Sequence, residues 1–271
     1  MNFAVVAGYV WLAQSIGSGP PCDVVARSLW KDLAACSMAM EPEGRRHAIF
    51  DQATEASLRC RDDEQLAYVR LRAAELGADA TANDQAAWQA FQRLTVDLSK
   101  QFPKSARIAT IAARAERTVD RAHQAVMLDP SYAPAQVALV RALLGAGKSD
   151  EARNVIDGVK KLGALDDGFT ALALVKWAQG DVKGTVEAAN KELKGRDAFG
   201  VEPGEGDLRA IAEAHEVLGL AYVKLAKWDK AAPHLVAARS TSKAAEDIIS
   251  NATPALRKAI ARAESQAAKR R

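Results

Sequence analysis

The chain has 271 residues, of which 49% are hydrophobic and 26% charged, the balance of a globular protein rather than a disordered one. No apolar run reaches the roughly 18 residues that a spanning helix needs. The 37 basic and 34 acidic residues leave a net charge of +3, far from the concentrated basic face of a nucleic-acid binder. Alanine recurs throughout and only 6% of residues are aromatic. Alanine is the strongest helix former, so composition leans all-α.

Residues 1–21 stand apart. Phe3 to Ala13 is apolar and is followed by Gln14, Ser15, Gly17 and Pro20. Its length suits the apolar core of a signal peptide, yet no Lys or Arg precedes it. A first helix of the fold, or a misplaced start, reads it equally well, so export to the periplasm and residence in the cytoplasm both stand. Leu33-Ala34-Ala35-Cys36 has the form of a lipoprotein cleavage box, but Lys31 and Asp32 occupy the place of its apolar region. That reading is rejected.

Residues 22–103 read as an N-terminal helical region. Asp23 starts a helix to about Cys36, with Val24, Val25, Leu29, Trp30 and Leu33 apolar, and Pro42 opens a second that carries Ile49, Phe50, Ala53 and Cys60. An antiparallel hairpin of these two helices makes Cys22 and Cys60 neighbours and leaves Cys36 at the other end. An exported chain would close a Cys22–Cys60 disulfide there; a cytosolic one would keep three reduced thiols. Three scattered cysteines do not make a zinc site. Leu66, Val69 and Ala73 mark a third helix, expected to stop near Gly77. Trp88, Phe91, Leu94, Leu98 and Phe102 mark a fourth, closed by Pro103, and Ile108 to Val126 carry a longer stripe ending at Asp129-Pro130.

From there a pattern recurs. Leu139, Val140, Leu143, Gly147, Ala152, Ile156 and Val159 are answered 33 residues later by Leu172, Ala173, Lys176, Gly180, Thr185, Ala189 and Glu192. A further 46 residues on stand Leu218, Gly219, Tyr222, Ala226, Ala231, Leu235 and Ala238, the extra length falling in a Gly- and Pro-containing stretch, residues 194–206, read as a loop. His215-Glu-Val-Leu-Gly-Leu-Ala-Tyr222 followed by Trp228-Asp-Lys-Ala-Ala232 resembles the tetratricopeptide repeat, a pair of antiparallel helices. The resemblance covers about residues 104–241; Lys176, Thr185 and Glu192 depart from it. It implies an all-α, right-handed solenoid of antiparallel helix pairs, with residues 242–271 as capping helices. Thr253-Pro254 opens the last helix as N-cap and first-turn proline.

No catalytic constellation emerges. Leu144-Gly-Ala-Gly-Lys-Ser149 lacks the glycine that a phosphate loop needs at position 142, where Ala142 stands, and follows a helix rather than a strand. The four histidines, His47, His123, His215 and His234, fall on separate helices. Asp62-Asp63-Glu64 and Asp166-Asp167 sit at expected helix starts, where carboxylates suit the macrodipole. The reading is non-catalytic, with no cofactor or metal.

The resemblance implies instead a concave groove lined by the first helix of each pair. Its register places Val137, Arg141 and Leu144 there, then Thr170, Leu174 and Trp177, then Glu216, Leu220, Val223 and Lys224. Val137 and Arg141 stand where some family members carry a carboxylate clamp, so no clamp is expected. The apolar members suit an amphipathic segment of a protein or peptide partner, or they pack against neighbouring repeats. The expected function is a protein–protein interaction scaffold or adaptor. The alternatives are an exported accessory subunit of an envelope or secretion assembly, and a helical ligand carrier or enzyme with a pocket the sequence does not reveal.

Overall fold

The computed structural model describes residues 20–38, 43–80, 85–159, 168–197, 205–239 and 242–268. Every regular element among them is helical. The order is α1 (Cys22–Met38), α2 (Glu43–Arg59), α3 (Glu64–Ala80), α4 (Gln85–Gln101), α5 (Ala106–Glu116), α6 (Val119–Leu128) and α7 (Ala133–Gly145). There follow α8 (Ser149–Asp157), α9 (Gly168–Ala178), α10 (Val182–Asp197), α11 (Glu205–Lys224), α12 (Trp228–Ala238), α13 (Lys243–Ser250) and α14 (Pro254–Ala268). No helix among the described residues is long and apolar enough to cross a membrane. The apolar stretch Phe3–Ala13 lies outside the described residues.

Sequence-local features set several boundaries. Ser105 caps α5 by accepting the Ile108 N–H, and Ser242 caps α13 by accepting that of Ala245. Asp63 does the same for α3 through Leu66 N–H, which gives that acidic run a capping role. Three boundaries differ from expectation. Gly77 lies within α3, whose buried Ala78 continues the apolar face. The stripe from Ile108 to Val126 breaks into α5 and α6 at Arg117, a left-handed residue (φ 54°) with no Gly or Pro to announce it. Part of the expected loop 194–206 is helix, because α10 runs on to Asp197 and α11 already begins at Glu205. Lys and Glu are good helix formers, and α10 continues through Gly195.

Consecutive helices pack on each other from α1 through α13, and each odd-numbered helix also packs on the next odd one from α1 to α13. Side chains give the relative directions. Ser105 Oγ donates to Glu64 at 2.7 Å and Arg114 pairs with Glu75 at 3.0 Å, so α3 and α5 rise in the same sense. Between α11 and α12, His215 meets His234 while Tyr222, further along, stacks near the same ring and Lys230 reaches it, so these two run oppositely. The α11/α12 approach is close: a Cβ on Gly219 would sit 2.8 Å from Leu235 Cδ2 and 3.3 Å from its backbone nitrogen.

One turn recurs three times. Gly147, Gly180 and Ala226 have φ of 75°, 76° and 55°. The N–H after each returns to the carbonyl five residues back: Lys148 to Leu143, Asp181 to Lys176 and Lys227 to Tyr222, at 2.8–2.9 Å. These helix ends need a left-handed residue, which glycine supplies without a Cβ clash.

Buried side chains form four contiguous clusters along the stack. Leu33, Leu66 and Val69 anchor one at α1–α3; Leu71, Phe91 and Ile111 the next; Leu139, Leu143 and Ile156 a third; Leu218, Leu235 and Leu256 the last. Alanine fills much of each, as close helix approach requires.

Candidate interaction surface

Packing is not confined to helices that are neighbours in the odd-numbered series. α11 also packs on α1 and α3, and Arg141 of α7 reaches past α9 to pair with Glu213 of α11 at 2.5 Å. The Tyr132 phenol at the start of α7 faces Tyr68 of α3, which lies beyond α5. Burial and that second phenol push its proton affinity up. Long polar side chains thus bridge helices two places apart along the odd series. Glu75, almost fully buried on α3, holds Arg72 and Arg114 together.

The ten expected groove residues divide accordingly. Val137 and Thr170 are buried, at 4% and 0% exposure, and belong to the core. Arg141 is committed to Glu213. Glu216 is half-buried on α11. Leu144, Leu174, Trp177, Leu220 and Val223 are half-buried and Lys224 is exposed. These six lie toward the C-terminal ends of α7, α9 and α11. Lys224 Nζ stands 5.4 Å from the centre of the Trp177 ring, a cation–π contact across α9 and α11. A partly exposed apolar row with one ammonium at its edge is therefore what remains of the expected lining.

Two positions that depart from the repeat pattern have structural work. Glu192 is completely buried on α10, and its Oε2 accepts the Thr170 N–H at 3.0 Å in the first turn of α9. A carboxylate there satisfies a backbone donor that has no partner within the helix. Thr185, also buried, returns its hydroxyl to the Asp181 carbonyl at 2.7 Å. Neither role shows in a hydrophobic pattern, because both residues break it.

Cys22 and Cys60 are joined, with S–S 2.02 Å and Cα–Cα 5.8 Å, tying the start of α1 to the residue after α2. The Cys36 side chain lies outside what the structure describes. The glycines of the phosphate-loop look-alike close α7, and the helix α8 starts at Ser149. Among the described residues no three His, Cys, Asp or Glu side chains converge as metal ligands. Asp166 and Asp167 lie outside the described residues.

Sequence reasoning placed the histidines apart, but the fold brings two together. His215 and His234 meet through their Nδ1 atoms at 2.8 Å, and Tyr222 stacks on His234 with ring centres 5.8 Å apart. Spacing within one helix could not reveal this, since the pair forms between helices. No protein-family model matches the chain, and no curated protein matches it in sequence.

Proposed function

We propose that the chain is a non-catalytic interaction scaffold whose helix pairs stack as a tetratricopeptide-like solenoid. In this reading a partner segment seats its apolar side chains on the row Leu144, Leu174, Trp177, Leu220 and Val223. The observation that carries it is the partial exposure of this row at one end of three successive odd-numbered helices, beside residues of the same register that are buried. The recurring left-handed turn and the odd-to-odd packing support the solenoid part. Apolar rows flanked by a charge suit an amphipathic segment, whose affinity comes from burying area on a preformed surface.

The test compares the intact chain with a Trp177→Ala, Leu220→Lys double variant in affinity capture from the native source, with helicity checked by circular dichroism. A protein held by the wild type and lost by the folded variant supports the row as the docking surface. Equal capture by both places binding elsewhere and overturns it.

The Cys22–Cys60 bridge favours a second, compatible reading, in which the scaffold works in an oxidising compartment as an accessory subunit of an envelope or secretion assembly. Thiol counting on protein isolated under acid quench decides this. Three free thiols per chain would exclude the exported reading.

A further inference from the structure

The His215–His234 contact is unexplained by the scaffold reading. The ring centres are 5.0 Å apart while the nitrogens are 2.8 Å apart, a difference close to two ring radii, so the imidazoles meet nearly head-on. One nitrogen must then donate a proton and the other accept it. We infer that this pair is an acid-triggered latch between α11 and α12, closed while the two rings share one proton and opened when a second proton arrives.

At this contact a second proton is unfavourable. With both rings charged, two donors face each other at hydrogen-bond distance, and the contact becomes a repulsion. His234 lies mostly out of water, and burial first, then the charge of His215, depresses its pKa to about 4. Tyr222 covers one face of the ring. Several charged groups on the neighbouring elements pair with one another. Asp229 of α12 pairs with Arg262 of α14, and Glu246 of α13 and Glu264 of α14 pair with Arg239. On α10 Glu192 caps α9 and Glu187 pairs with Lys191; on α9 Lys176 pairs with Asp181. Lys230 lies 5.9 Å from the centre of the Tyr222 ring and adds positive charge, and Glu216 sits about 100° round α11 from His215.

The sign follows from the direction of the shift. A histidine whose folded pKa lies below its unfolded value of 6.5 binds protons better when released. Its contribution to stability is therefore complete above pH 6.5 and is lost as pH falls toward 4. Between pH 8 and pH 5 the two values predict roughly a thirtyfold fall in the folding equilibrium constant of the cooperative unit that contains α11 and α12. Because α11 carries Leu220 and Val223, opening the latch would also dismantle the proposed docking row. That consequence rests on the scaffold reading, whereas the latch itself is tested without any partner.

The experiment is imidazole NMR titration of the full chain together with urea unfolding at pH 8 and pH 5, for wild type, His234→Gln and His215→Gln. His234 is expected to titrate below pH 5 while folded. The wild type is expected to lose about thirtyfold in folding equilibrium across that range, and His234→Gln to lose most of this pH dependence. His215→Gln removes the positive neighbour and should raise the His234 pKa, which keeps a readout if His234→Gln folds poorly. Titration of folded His234 near 6.5, or equal acid sensitivity in wild type and His234→Gln, would overturn the latch.

Discussion

Gly219→Ala isolates the close approach that holds the α11/α12 pair together. In an exposed helix this change stabilises by about 1 kcal/mol, because glycine loses more backbone entropy than alanine. Here the new methyl would lie 2.8 and 3.0 Å from Leu235 Cδ2 and Cγ and 3.3 Å from the Leu235 backbone nitrogen. Leu235 has no exposed surface into which to swing, and the backbone contact cannot be relieved by a side-chain rotation. Overpacking of this kind costs about 1–3 kcal/mol. The net expectation is a loss of about 0–2 kcal/mol, a fall in melting temperature that reaches roughly 4–8 °C at the upper end for a chain of this size. Thermal circular dichroism measures it. The partner experiment repeats Gly219→Ala in a Leu235→Ala background, where only the backbone contact remains and the substitution should become neutral or stabilising. A rise in melting temperature for Gly219→Ala in the wild type would show that α11 and α12 lie far enough apart to admit the methyl, and would refute the close approach.

Other substitutions test other parts of the stack. Ala226 occupies the left-handed turn with φ 55°, so Ala226→Gly should stabilise or be neutral. Gly180→Ala, at φ 76° with nothing within 4 Å of its would-be Cβ, should destabilise by about 1 kcal/mol through backbone strain alone; chemical unfolding compares the two. Glu192→Ala removes a buried acceptor from the Thr170 N–H and should cost about 2 kcal/mol or more, while Glu192→Gln keeps an acceptor oxygen and should cost less; equal losses in urea would argue against the capping role. The bridge between Cys22 and Cys60 spans 38 residues, so the double serine variant should lose about 2–4 kcal/mol of stability to chain entropy. Insensitivity of the wild-type melt to a reducing agent would show that α1 and α2 are held without it.

Helical character was legible because it is local. Apolar spacing located α1 to α4 and α7 to α12 and read α5 and α6 as one stripe, and Pro and Gly at the right offsets gave several of the ends. The turn at Gly147 and Gly180 was equally readable, since glycine is the residue that tolerates that backbone. Arg117 shows the limit. Its left-handed conformation splits one stripe into two helices, and no propensity marks it, because the packing of α5 and α6 imposes it. Glu192 and Thr185 looked like degeneration of a pattern, yet both are buried and hydrogen-bonded.

The candidate surface was legible only in part. The register named ten positions, but a register cannot say which side chains the rest of the chain will cover. Val137 and Thr170 are core, and Arg141 is paired with a residue 72 positions away. The meeting of His215 with His234 likewise depends on two helices lying side by side. Local pattern was enough to show that this chain is helical and where most helices lie, since those follow from hydrogen bonds and side-chain periodicity within a few turns. Packing across the fold settles which apolar positions stay accessible, which polar ones pair, and that α11 returns to α1 and α3. Those outcomes depend on contacts between residues far apart in the chain, whose energies no local pattern encodes.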